Sequence, residues 1–330
     1  MSLGFGRAWS LGVEEELMLL DAATLELAPA VERVVPRRTE RLKTELFACL
    51  VETTTDVCES AEAVLAELHT LRAELVRRAE PLGVAVAAGG THPFGRSEGQ
   101  PLVDEPRYRK LLDELGAATC RQLVCGLHVH VGMPSPEACL RALEGVLPWL
   151  PLLLSLSANS PYLEGRETGA RSSRAGRLAE LPGAAAPPVF RSWAEWEAFM
   201  RHRDYTRIWW DARPHPRYGT LEVRLPDQQT SVRRSAGFAA LVQALAATAA
   251  ESEHEPYDRD EYARRRAGAA LAEPDQGDVG RLAALVEPAA RRLGGWELAT
   301  ELLASEPECG RQLAVGREHG VEAVAAGLVI

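Results

Sequence analysis

Residues 11–17 read Leu-Gly-Val-Glu-Glu-Glu-Leu and run on into Met-Leu-Leu-Asp. Along an extended strand successive side chains face opposite ways. Glu14 and Glu16 therefore share one face, and Val13, Glu15 and Leu17 share the other. Two carboxylates about 6–7 Å apart on one face repel each other unless a cation lies near them. Three further segments repeat this design. In ELFACLVETTTDVC (45–58), Glu52 follows an apolar run and precedes three threonines, which predicts a strand end beside hydroxyl donors. In CGLHVHVG (125–132), His128 and His130 share a face opposite Leu127, Val129 and Val131. In GTLEVRLPD (219–227), Glu222 and Arg224 oppose Leu221, Val223 and Leu225. Any one of these alone reads equally well as a solvated strand edge. Four apolar strands that each display charge on one side predict an α+β fold, with an antiparallel sheet open on one face to a polar site.

The segments between them read mostly as helices. Apolar positions Ala61, Val64, Leu68, Leu71 and Leu75 recur at helical spacing, and Pro81-Leu82-Gly83 stops that helix before the short strand VAVA. A second amphipathic helix is expected over 107–122, and a third starts at Ser135-Pro136-Glu137 with a cap oxygen and proline in its first turn. A Trp-rich helix follows residue 192, a long Ala/Leu helix spans about 235–251, and the tail from 256 is helical with a break at EPDQGD. Residues 160–192 are rich in Gly, Pro, Ser and Arg and read as one long irregular loop. Within it, Glu164–Pro188 is the expected mobile lid. No composition shift marks a boundary, so residues 1–330 are expected to form one catalytic domain.

Composition narrows the function. Thirty-seven basic against 47 acidic residues give a formal charge of −10, which argues against nucleic acid as the partner. Only Lys43 and Lys110 are lysines, so anion contacts should be arginine contacts. The six cysteines form no C-x-x-C pair, and no apolar leader precedes the first acidic residues. Both point to a reduced, cytoplasmic chain. The most apolar stretch, from Val146, covers about 13 residues with two prolines, short of the ~20 that a membrane span needs.

Glu14, Glu16, Glu52, Glu222 and one or two histidines are too many donors for one zinc and suit two or more hard cations. Arg166, Arg171, Arg174, Arg213 and Arg224 would complete the equipment for phosphoryl transfer from a nucleotide. The sequence has no Walker A, kinase glycine loop or G-x-G-x-x-G.

Five segments, in order between Leu11 and Val232 and so spanning about two thirds of the chain, carry a resemblance: LGVEEELMLLD, AGGTHPF, RQLVCGLHVHVGM, SANSPYLEGRETGARSSR and WWDARPHPRYGTLEVRLPDQQTSV. They resemble the carboxylate–amine ligases of the type 2 glutamate–cysteine ligase family. The resemblance implies a fold like that of glutamine synthetase and the guanidino kinases, a curved antiparallel sheet cupping the active site with helices behind. It implies ATP, with Mg2+ or Mn2+, phosphorylating the γ-carboxylate of glutamate before an amine, cysteine by default, displaces phosphate. Glu14, Glu16, Glu52 and Glu222 match its metal carboxylates, and His128 or His130, with His130 favoured, its metal histidine. His128, Ser172, Arg174 and Arg224 are then nucleotide contacts, and Arg174, Arg213 and Arg224 the catalytic arginines. Asp211 is the nearest candidate for a base.

The chain departs from the family pattern at GRLAELPGAAAPP after Arg174, at YARRRAGAA (262–270) and at Arg311-Gln312-Leu313. These departures bear on the amine. The same ligase chemistry with another amine, and a guanidino-kinase-like phosphotransferase, are the alternatives. Expected partners are small molecules and at most further copies of the chain, with no membrane and no nucleic acid.

Overall fold

The computed structural model describes residues 4–184, 186–254 and 257–330. Residues 1–3, Ala185 in the expected loop and Pro256 at the start of the expected helical tail lie outside the described residues. The strands are β1 (Leu11–Asp21), β2 (Leu42–Thr44), β3 (Leu50–Thr54), β4 (Val84–Ala87), β5 (Leu127–Gly132), β6 (Tyr162–Leu163), β7 (Arg166–Glu167), β8 (Ala212–His215) and β9 (Thr220–Val223). Among the described residues seven of them form one antiparallel sheet in the order β2-β3-β1-β5-β9-β8, with β4 pairing the far end of β1. β6 and β7 make a separate hairpin.

Alternation sorts the sheet into two faces. Leu11, Val13, Leu127, Val129, Val131, Leu221 and Val223 point to the back, where all are buried in one core. That core is closed by the helices Ala61–Ala79, Pro136–Val146 and Val232–Ala250. The last is rich in alanine, and Ala236, Ala239, Ala240, Ala244, Ala246 and Ala247 are buried, which lets neighbouring helices pack close. The stretch Pro136–Ser157 is long and apolar enough by composition to cross a membrane, but 78% of it is buried inside the fold. It is core.

The back face also buries a charged residue. Glu15 is fully buried and accepts from Arg72 Nε at 2.8 Å and Nη2 at 2.6 Å. Ser235 and Gln228 each donate to its Oε1 at 2.7 Å. Burial alone would raise its pKa, yet the Arg72 guanidinium holds it below the ordinary carboxylate value. Arg72 also donates to the carbonyls of Thr230 and Gln229. The pair thus ties the middle of β1 to two helices and to the segment after β9.

Several expectations need correction. The helix over 107–122 is two helices, Pro106–Leu115 and Ala117–Cys120, because Gly116 between them has φ +51°. The loop over 160–192 is structured: it holds the β6–β7 hairpin, the helix Ser173–Leu178 and the start of Trp193–Met200 just beyond. Polar side chains help to order it, with Thr168 Oγ1 2.9 Å from Ser173 Oγ and Arg174 buried, and Tyr162, Ala175, Leu181 and Phe190 are buried along it. Glu52 lies in the middle of β3 rather than at its end. Strands β2 and β8, of three and four residues, are too short for periodicity to show.

Removing Arg72 should leave the Glu15 carboxylate buried and uncompensated. Arg72→Met is expected to cost about 3–5 kcal/mol in urea unfolding, and the double variant with Glu15→Gln should cost less. Equal losses in the two would show that the pair matters through packing alone.

Candidate active site

The open face of the sheet is the floor of a cavity of ≈ 500 Å³. Lys43 from one edge and Arg213 and His215 from the other both line it, so the sheet curves into a cup. Antiparallel register arranges its polar side chains in three rows. In the first, Lys43 stands opposite Glu52 and Glu52 opposite Glu16. In the second, Thr54 stands opposite Glu14 and Glu14 opposite His128. In the third, His130 lies between Gly12 and Glu222, and Glu222 faces Arg213. Directly opposed residues have Cβ atoms about 4.5–5.5 Å apart, so each row is a contact line across strands. Sequence-distant carboxylates meet because of this register.

At the junction of the last two rows, donor atoms of Glu14, His130 and Glu222 all lie within 4.8 Å of one another. His130 Nδ1 is 3.0 Å from the Thr220 hydroxyl, while its Nε2 is buried with no hydrogen-bond partner and 3.8 Å from Glu14 Oε2. A proton on Nδ1, shared with Thr220, leaves the Nε2 lone pair facing the carboxylates, the usual posture of a metal-binding imidazole. An orphaned nitrogen between two carboxylates fits a divalent cation. His128 behaves differently: its Nδ1 lies 3.2 Å from Glu14 Oε2 and its Nε2 3.8 Å from Glu16 Oε1, so it bridges the two acids.

A second acidic group surrounds Glu52, where Lys43 Nζ donates to Glu52 Oε1 at 2.7 Å and to Thr54 Oγ1 at 2.9 Å. Glu45 joins this group, close enough to hydrogen-bond Glu52. Burial pushes Glu45 well above the ordinary carboxylate range, and nearby Glu52 and Glu16 push it further. Burial and the Glu14 charge likewise raise Glu52 despite Lys43. Glu14 goes the other way. Burial would raise it, but His128, hydrogen-bonded to it, and the nearby His130 hold it well below its usual value. At Glu222, burial is outweighed by Arg224 and Arg213.

The arginines divide by what they hold. Arg213 spends its whole guanidinium on protein: Nε and Nη2 reach Glu222 at 2.8 and 3.2 Å, and Nη1 the carbonyls of Tyr205 and Ile208. Its expected role as a free anion contact is therefore corrected to one of fixing Glu222. Arg174 borders the cavity, but Nη1 and Nη2 are bound to the carbonyls of Leu225, Pro226 and Arg224. It clamps the segment carrying Arg224 instead of swinging over a substrate. Ser172 caps the helix Ser173–Leu178 and donates to Asp227 Oδ1 at 2.8 Å, away from the cavity lining. Asp211 is buried, accepting from Tyr262 at 2.7 Å and from Arg266 at 2.6 Å, which removes it as a base. Arg224 remains. Its Nη1 donates to Glu222, and the rest of its guanidinium has no protein partner among the described residues.

The sequence reading missed Glu45, Tyr205 and Thr220. Glu45 directly follows β2 in phase with Lys43, but β2 is too short for its alternation to show in the sequence. Tyr205, whose hydroxyl donates to Glu222 at 3.1 Å, sits in a short 3-10 turn outside the sheet. Thr220 could have been found, since it is in phase with Glu222 on β9.

Sheet and polar face together define a ligase fold of the glutamine-synthetase kind. The crystal structure of glutamate–cysteine ligase from Francisella tularensis in complex with AMP superposes with a TM-score of 0.72, covering 99% of this chain and 88% of that one at 13% identity, a likeness of fold. Residues 10–305 match the model of glutamate–cysteine ligase family 2 (GCS2), and the chain belongs to that family. Two similar proteins come from Rubrobacter xylanophilus. One, named "Putative glutamate–cysteine ligase 2-3", is 38% identical over all of this chain and 91% of its own length. The other, numbered 2-1, is 39% identical over 76% of this chain and 71% of its own length.

The acid cluster sets a pH dependence. Glu45 and Glu52 bind protons more tightly folded than unfolded, so their contribution to stability is present at low pH and lost as pH rises through their raised values. Glu14 and Glu222, shifted down, are already ionised there and add a constant. In chelator-treated protein the wild-type Tm should fall relative to that of Glu45→Gln as pH rises from about 5, the top of the ordinary carboxylate range, and parallel profiles would contradict the assignment.

Proposed function

We propose that the chain is an ATP-dependent ligase that joins the γ-carboxylate of glutamate to an amine through a γ-glutamyl phosphate, with cysteine as the acceptor. The observation that carries this is the convergence of Glu14, His130 and Glu222 within 4.8 Å, with an unpartnered His130 nitrogen between them, in a cavity that also presents Arg224. Glu14, His130 and Glu222 would hold one divalent cation; Glu16 and Glu52, with Glu45, would hold another. Mg2+ or Mn2+ there would neutralise phosphate charge and orient the γ-phosphoryl group. His128 keeps Glu14 and Glu16 apart and in place beside the nucleotide, and Arg213 aims Glu222. Arg224 keeps donors free beside Glu222, and it meets the charge that develops on the transferred group.

Of the departures from the family pattern, the segment after Arg174 reaches the cavity through Leu178 and Leu181. The other two do not: Tyr262 and Arg266 hold Asp211, and Gln312 holds Asn159 at 2.6 Å. The wall opposite the acids, with Leu111, Val124, Leu178 and Leu181, offers apolar cover that keeps water from an acyl phosphate. A single catalytic domain working in the cytoplasm completes the proposal.

Phosphate release from ATP should require glutamate and an amine together, and mass spectrometry across an amine panel should find a γ-glutamyl amide, with cysteine best. A phosphorylated amine with no amide would instead indicate a phosphotransferase. Arg224→Lys keeps the charge but loses the planar fork. Its kcat should fall about 10²-fold or more, the scale of one lost preorganised donor. Near-normal turnover with a lowered Tm would make Arg224 structural.

A further inference from the structure

Lysine is all but absent from this chain, yet one of its two lysines stands inside the acid cluster. Lys43 lies on edge strand β2, and its ammonium sits among ligands that would suit an ion. Glu52 Oε1 is at 2.7 Å, the Thr54 hydroxyl at 2.9 Å and Glu14 Oε1 at 3.7 Å. Thr54 in turn donates to the same Glu52 oxygen at 3.3 Å. A compact ammonium with three donors fits such a space. The positive groups on Glu222 are arginines, and that of Arg213 is spread over the carboxylate's flat edge. Glu14 is shared between two environments. Its Oε2 faces His128 and His130, and its Oε1 faces Lys43.

We propose that Lys43 fills with its own ammonium a cation position between Glu52 and Glu14, and so limits the number of divalent ions the cluster takes. The inference rests on reading the cavity face as a metal centre. Two consequences follow from charge alone. With the lysine present, the space between Glu52 and Glu14 is closed to a divalent ion by contact and by repulsion. The ammonium also weakens the pull of Glu14 on an ion held with His130 and Glu222.

The test counts Mn2+ bound to the full chain without nucleotide, by the loss of the free-ion EPR signal, in the wild type, Lys43→Met and Lys43→Arg. Lys43→Met should bind one more Mn2+ per chain, and its tightest ion roughly tenfold more tightly, as expected on removing a nearby like charge in a partly solvated site. Lys43→Arg should keep the wild-type count. The same count in wild type and Lys43→Met overturns the proposal, as does a gain in Lys43→Arg. Loss of binding in a folded Lys43→Met, checked by circular dichroism, would show that the lysine organises the acids instead, and also overturns it. Should Lys43→Met not fold, Lys43→Gln serves the same comparison. A wild type that binds no Mn2+ at all would remove the metal centre itself, a failure distinct from an unchanged count.

Discussion

The buried pair of Glu15 and Arg72 carries more of this structure than its position at the back of the sheet suggests. Side-chain direction along a strand has period two, so a one-residue slip of β1 would send Glu14 and Glu16 into the core and Glu15 into the cavity. Hydrophobic alternation alone specifies β1 poorly at its centre, because three glutamates follow one another there. The choice is made by a cavity in the core that fits one carboxylate, with Arg72, Ser235 and Gln228 pointed into it. Once Glu15 is held there, its two neighbours must face the open side. β1 also pairs with β3, β4 and β5, so its setting is handed on to most of the sheet.

Register then does the assembling. Glu14 and Glu222 are far apart in sequence and reach one point only because β5 brings His128 against Glu14 and His130 against Glu222. Arginines support this from behind. Arg213 fixes Glu222, Arg174 fixes the backbone around Arg224, and Arg266 fixes Asp211 next to β8. Each of the three carries its charge in a place where only protein groups can use it. What is left on the floor of the cavity is a cluster of carboxylates beside Lys43 and Arg224, with Arg107, Lys110 and Arg207 elsewhere on the lining. A face of that kind attracts cations, and through them phosphates.

The fold class and the principal acids were legible in the sequence because strands advertise themselves by alternation. Glu14, Glu16, His128, His130 and Glu222 were placed on the correct face by period two alone. Family resemblance added the chemistry. The arginines were read less well, since a basic residue in a polar loop looks the same whether it meets substrate or a backbone carbonyl. Arg174 and Ser172 were read as a lid because Gly and Ser surround them, while the hydrogen bonds that bury them run to residues more than 50 positions away. Glu45 left no trace because the three residues of β2 before it are too few to show a period.

The account's central claim is spatial: three residues from three strands hold one divalent cation. Crystals soaked in Mn2+ and measured at a wavelength where manganese scatters anomalously would test it most directly. An anomalous peak is expected at coordination distance, ~2–2.6 Å, from Glu14, His130 Nε2 and Glu222. A clear peak elsewhere in the cup, with His130 Nε2 left without a partner, would contradict the claim.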